Sequence, residues 1–198
     1  LLNKRQNRVT QAFFRTALIL PWIFTAAVVA VNWRLLLAPN GLINAFLRSI
    51  GLLPDWIDWL GNRRFALPTL IIVNFWRGYP FIMISLLAGL QGIPGDLHEA
   101  AFVDGASKSQ AFWRITFPLL APVMYSIGLL DTIWTFRVFP LVWLLTGGGP
   151  GRSTEVLATY TYRYAFVDFE FGQASAVAVV LLFFTIIFTV FYLRGQKE

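Results

Sequence analysis

Four long apolar stretches, parted by short polar ones, set the first expectation for this chain. A helix that crosses hydrocarbon needs about 20 predominantly apolar residues. Gly172–Leu193 carries no charge and is closed by Arg194 and Lys197. Thr16–Trp33 is also uncharged, contains Pro21, and comes after Lys4, Arg5, Arg8 and Arg15. Phe65–Leu90 is long enough but is interrupted by WRGYP at Trp76–Pro80. Pro80 removes a backbone donor and Gly78 loosens the helix, which predicts a kink or break near mid-span. Leu119–Leu145 is apolar apart from Asp131 and Arg137. With their flanks, these runs predict spans at about 13–37, 65–91, 119–146 and 172–193, an all-α transmembrane fold in a single domain over 1–198.

The segments between them differ in kind. Asn40-Gly41 marks a turn, and Leu42 to about Ile50 reads as a short amphipathic helix near the outer surface. Thr146–Gly151, TGGGPG, is too glycine-rich and proline-broken for a helix and reads as a flexible connector or a docking loop. Residues 94–122, PGDLHEAAFVDGASKSQAFWRITFPLLAP, are the most polar interruption. Pro94-Gly95 closes the preceding span. Asp96 is placed to cap a helix, with Glu99 completing a capping box. Gly105 is placed to stop that helix in a left-handed conformation. Ser107 and Gln110 then repeat the capping pattern. Two short helices are expected within about 97–116, with Ala100 and Ala101 leaving a face that another surface could approach closely. They form either a surface connector or a docking element.

Composition agrees with a membrane protein. The chain is 57% hydrophobic and 13% charged, against about 25% charged in soluble domains. There is no cysteine and a single histidine, His98, which excludes a disulfide framework, a thiolate metal site and a His-rich metal centre. The net charge of +6 comes from scattered basic residues, so no nucleic-acid partner is expected. One side of a four-span arrangement carries Lys4, Arg5, Arg8, Arg15, Lys108, Arg114, Arg194 and Lys197. The other carries Arg34, Arg48, Arg63, Arg64, Arg152 and Arg163. Eight against six places the 94–122 segment on the cytoplasmic side. Trp33, Trp56 and Trp59 suit the opposite interface. No charged leader with a small-residue cleavage site precedes the first span, and the start at Leu1 suggests a piece of a longer polypeptide.

Charges at membrane depth mark functional candidates, each costing about 2.5–3.5 kcal/mol on translocon scales unless paired or hydrated. Arg77, Asp131 and Arg137 qualify. Asp131 and Arg137 stand roughly 240° apart around a helix, so they cannot pair along one face. Sugars are held by polar groups that bond hydroxyls and by aromatic faces. Asn74, Trp76, Tyr79 and Trp134 add that chemistry. The alternatives are aromatic packing and a structural Asp131–Arg77 pair.

The spacing from Glu99 to Pro118 resembles the EAA signature of bacterial ABC-importer permeases. Glu99-Ala100-Ala101 is followed after three residues by Gly105, after nine by Ile115, and after one by Phe117-Pro118, where the family has Leu-Pro. Ile93-Pro94, Asp104–Ser107, Leu144–Pro150 and Leu20–Trp22 are similar to the carbohydrate-uptake branch. The resemblance covers practically the whole chain and implies the last four spans of a six-span core. It implies that Glu99, Ala100, Ala101 and Gly105 form a coupling helix seated on a cytoplasmic ATP-binding subunit, with Asp104, Arg114, Ile115 and Pro118 shaping it. It further implies a second homologous permease, two ATP-binding cassette subunits, an extracytoplasmic solute-binding protein and a bacterial inner-membrane location. Gly147, Gly148, Gly149 and Pro150 are the expected binding-protein contact. The chain has no G-x-x-x-x-G-K-[ST] loop, so ATP and Mg belong to a partner and no metal or cofactor is expected here. Two other classes have little in the sequence. An intramembrane enzyme would need convergent catalytic groups, and only Asp131 is a carboxylate at depth; a passive channel would need a pore-lining repeat.

Overall fold

A computed structural model describes residues 8–195. Lys4, Arg5 and Lys197 of the orientation count lie outside these. All regular elements among the described residues are helices. They are α1 (Arg8–Ile23), α2 (Ala26–Leu37), α3 (Leu42–Ser49), α4 (Ala66–Gln91), α5 (Gly95–Val103), α6 (Lys108–Ala111), α7 (Phe117–Phe136), α8 (Pro140–Thr146), α9 (Leu157–Phe166) and α10 (Phe171–Gly195). A π-helical turn, Phe112–Thr116, joins α6 to α7. Among the described residues, three helices are long and apolar enough to cross a membrane: Ala66–Gln91, Lys108–Phe136 and Phe171–Gly195.

The first predicted span is broken. Its two halves meet at 105°, which makes a fourth crossing only if the bent pair counts as one. Pro21 has no N–H to donate in the last turn of α1, and Thr25 starts a new helix. Thr25 is extended (φ −63°, ψ 153°) and its side chain accepts from the Val28 N–H. A run without charges conceals this because hydropathy records no direction.

The third predicted span also ends early. α7 stops at Phe136, Arg137 lies in a turn, and Pro140 opens the separate α8. Proline is unfavourable within a helix and favourable at its first position, so Pro140 ends one helix and starts the next. Of the expected kink or break at Pro80, the break does not occur. α4 runs uninterrupted through this fully buried proline, since a helix among apolar neighbours tolerates one missing bond.

The contacts divide into two units, Leu1–Pro80 with Phe136–Leu182, and Phe81–Thr135 with Phe183–Glu198. The core of the first is Val29, Ala30 and Leu37 of α2, Leu70 and Val73 of α4, and Leu141, Val142 and Leu145 of α8. Trp33 and Trp76 pack on it edge to face, their rings 5.4 Å apart. The 38–60 connection hangs on Asn44, which is fully buried. Its amide donates to the carbonyls of Ala38, Pro39 and Ile57, and its oxygen accepts from the Ile57 N–H and the Trp59 indole. Within the second unit, Gly89 of α4 lies against α7: a Cβ there would stand 2.8 Å from Leu120 Cδ1 and 3.2 Å from Val123 Cγ1. α10 buries only Ala174, as suits a helix whose surroundings are themselves apolar.

Candidate functional site

The polar interruption between α4 and α7 folds largely as its punctuation predicts. α5 begins at Gly95 after Pro94, with Asp96 inside its first turn and no side-chain cap. The predicted capping box of Asp96 with Glu99 is therefore absent. Proline supplies the entry angle, and the Asp96 carboxylate complements the unpaired N–H groups from the first turn instead. At the other end Gly105 has φ +80°. The Gly105 N–H donates to the Phe102 carbonyl at 3.1 Å and the Ala106 N–H to Ala101 at 2.9 Å. This is a Schellman stop, which glycine satisfies without a Cβ clash.

The second capping box is present as expected. The Gln110 N–H donates to Ser107 Oγ at 3.3 Å, and the Ser107 N–H to Gln110 Oε1 at 2.8 Å. The helix it opens is not a separate second one. The π turn carries α6 directly into α7, with the Phe117 N–H reaching back to the Phe112 carbonyl. Pro118 lacks a donor at this junction, and one wide turn absorbs the mismatch.

Glu99, Ala100, Asp104, Gly105, Arg114 and Pro118 are exposed, and Ala101 and Ile115 half-buried. α5 buries no residue, and its apolar Leu97, Phe102 and Val103 are exposed. α5 is thus a short helix with an acidic start, small central residues and uncovered apolar side chains. One contact has no signal in the sequence: His98 Nε2 lies 3.0 Å from Thr116 Oγ1, linking α5 to the π turn.

The mid-span candidates are distributed over both units, each described within its own. In the first, Asn74 and Arg77 are half-buried on α4, and Arg77 Nε is buried without a hydrogen-bond partner. Trp76 belongs to the Trp33 cluster. The Tyr79 hydroxyl donates to the Leu18 carbonyl at 3.0 Å, so this side chain ties α4 to α1 near its break. In the second, Asp131 is half-buried on α7 and Trp134 packs on Phe81 with ring centres 4.9 Å apart. Arg137, which belongs to the first unit, is exposed in the turn beyond α7.

The TGGGPG loop is irregular yet well held. Gly147, Gly148 and Gly151 have positive φ, as does Arg152 at 65°. Thr154 is buried, accepts or shares a proton with Thr146 Oγ1 at 2.7 Å, and donates to the Gly149 carbonyl at 2.7 Å. Arg163 of α9 closes the loop: Nε meets Glu155 Oε1 at 2.7 Å and Nη2 donates to the Gly147 carbonyl at 2.8 Å. The expectation of a loose connector is thus corrected by a cross-loop ion pair that no local pattern announces. α9 itself has no counterpart among the predicted elements. Its aromatic side chains build a cluster in which Tyr162 lies 4.9 Å from Phe139 and 4.7 Å from Trp143. The Tyr164 hydroxyl donates to Tyr160, and that bond holds its phenol above the ordinary tyrosine range.

Long apolar helices joined by an exposed, capped polar connection define a polytopic membrane protein. Residues 1–195 match the family described as binding-protein-dependent transport system inner membrane component. The chain belongs to that family, and the bacterial inner membrane is its location. It is 40% identical over 181 residues to a probable ABC transporter permease protein of Brucella suis, covering 91% of this chain and 63% of that one. It is 36% identical over 195 residues to the trehalose/maltose transport system permease protein MalF of Thermococcus litoralis, covering 98% of this chain and 64% of that one. An sn-glycerol-3-phosphate transport system permease protein, UgpA of Agrobacterium fabrum, is 34% identical over 202 residues, covering 100% and 68%. Against the crystal structure of a bacterial alginate ABC transporter in complex with its pentasaccharide-bound periplasmic protein, the TM-score is 0.84 at 26% identity, over 96% of this chain and 66% of that one. The chain thus spans somewhat less than two thirds of the length of the Brucella and Thermococcus relatives.

Proposed function

We propose that this chain is a permease subunit of an ATP-driven, binding-protein-dependent importer for sugars or related solutes. It forms the solute path with a second homologous permease and receives its drive from two ATP-binding cassette subunits, which hold ATP and Mg. The observation that carries this reading is α5: exposed along its length, bounded by Pro94 and Gly105, and set in a chain of the transport family. Glu99, Ala100, Ala101 and Gly105 supply the docking surface, and Asp104, Arg114, Ile115 and Pro118 hold its shape. ATP binding draws the cassette subunits together and moves α5, and the spans respond by exposing the path alternately to either side.

In that path Asn74, Trp76, Arg77, Tyr79, Asp131, Trp134 and Arg137 provide hydrogen bonds and aromatic faces. The Gly147–Pro150 loop faces the solute-binding protein. The Thermococcus and Agrobacterium relatives serve trehalose/maltose and sn-glycerol-3-phosphate systems, so a polyol phosphate is the second reading of the solute.

Glu99→Lys in the assembled, reconstituted transporter tests the coupling role. Reversing the charge should abolish solute uptake and its coupling to ATP hydrolysis. Uptake surviving in a fully assembled Glu99→Lys complex refutes it. Uptake by the chain without its ATPase partners would favour a channel instead.

A further inference from the structure

α5 is anchored sparsely. It buries no residue, and its C-terminal connection passes through Gly105 at φ +80° with nothing within 4 Å of where a Cβ would be. A helix held only by its ends could swivel on that glycine when pushed, and displacement would be lost before reaching a span. His98 lies on the half-buried side of α5, opposite in character to its exposed neighbours Leu97 and Glu99. Its Nε2 is 3.0 Å from Oγ1 of Thr116, a residue only 8% exposed. Thr116 closes the π turn that merges with α7, and such turns recur at functional positions because they re-aim side chains. Beside the backbone turn, this bond joins the docking helix to the foot of a spanning helix.

We propose that the His98–Thr116 hydrogen bond is a strap that makes α5 travel with α7 as one body, so that force applied to the docking helix enters the span without slipping. His98 is a positioning residue in this role: it touches neither ATP nor solute. The strap rests on the permease reading and assigns the transmission step within it.

The test uses the assembled transporter in proteoliposomes, reading solute transported per ATP hydrolysed. His98→Phe and Thr116→Val should each lower that ratio by about fivefold, the equilibrium equivalent of one net hydrogen bond, with assembly and basal hydrolysis kept. The double variant should be no worse than the poorer single one, because both remove the same bond. His98→Gln, whose amide can reach Thr116, should recover part of the ratio.

The absence of native cysteine permits a second measurement. A chain carrying His98→Cys and Thr116→Cys should be uncoupled when free and regain coupling when bridged by a short thiol-specific cross-linker. A merely structural contact would not be restored this way. Unchanged ratios in both single variants, additive losses in the double one, or no recovery on bridging would overturn the strap. If Glu99→Lys uncouples while these variants do not, the strap fails and the permease reading stands. If Glu99→Lys is also silent, the coupling role assigned to α5 fails together with the strap.

Discussion

Removing Arg163 should loosen the 147–155 loop more than removing its partner Glu155. The asymmetry comes from burial. The Glu155 side chain is 7% exposed and that of Arg163 26% exposed, with 2.7 Å between Nε and Oε1. Arg163→Ala leaves a carboxylate in a nearly closed site and also strips the Gly147 carbonyl of its donor. Stranding one member of a buried pair costs about 3–5 kcal/mol. Arg152 cannot rescue it, because its Nε is 3.7 Å away and its side chain is 64% exposed, a pair that contributes little. Glu155→Ala leaves a guanidinium that reaches water and keeps Gly147, so only a charge-assisted bond is lost, about 1.5–3 kcal/mol. Since about 1.4 kcal/mol is a factor of ten, loop opening should rise at least roughly 100-fold in the first variant. In the second it should rise less, by about 10- to 100-fold. Amide hydrogen exchange over Gly148–Glu155 in the purified complex reads this opening directly. Equal acceleration in both variants, or a greater one for Glu155→Ala, would refute the link between burial and loop stability.

Two further outcomes hang on single contacts. Asn44→Ala removes five hydrogen bonds from a fully buried position; with each stranded partner costing about 1–3 kcal/mol, the 38–60 segment should become protease-sensitive in limited digestion while the spanning helices stay intact. Gly89→Leu must displace Leu120 and Val123, which stand 2.8 and 3.2 Å from a Cβ at that position; overpacking of about 1–3 kcal/mol should lower the detergent melting temperature, whereas Gly92→Ala, with no contact under 3.4 Å, should leave it nearly unchanged.

What the sequence disclosed depended on range. Ser107 with Gln110, Gly105, α3 and the uncharged run of α10 are local patterns, and each is where the residues place it. The bend at Phe24–Thr25 and the stop at Phe136 were hidden because apolar residues look alike on either side of a change in direction. α9 is not legible in the sequence because Tyr160, Tyr162, Tyr164 and Phe166 alternate with other residues as a strand would. The contacts of Tyr162 to Phe139 and Trp143 favour the helix, and those partners lie far along the chain. Asn44, His98–Thr116 and Glu155–Arg163 share that property: each pairs residues whose nearness only the fold creates.

The π turn has a mechanical consequence. By joining α6 to α7 it makes Lys108–Phe136 one helix of 29 residues, about 43 Å from end to end at 1.5 Å per residue. Such a rod has a fulcrum wherever the surrounding helices grip it. Tipping its Lys108 end one way swings its Phe136 end the other, so opposite displacements at its two ends become a single motion of a single part.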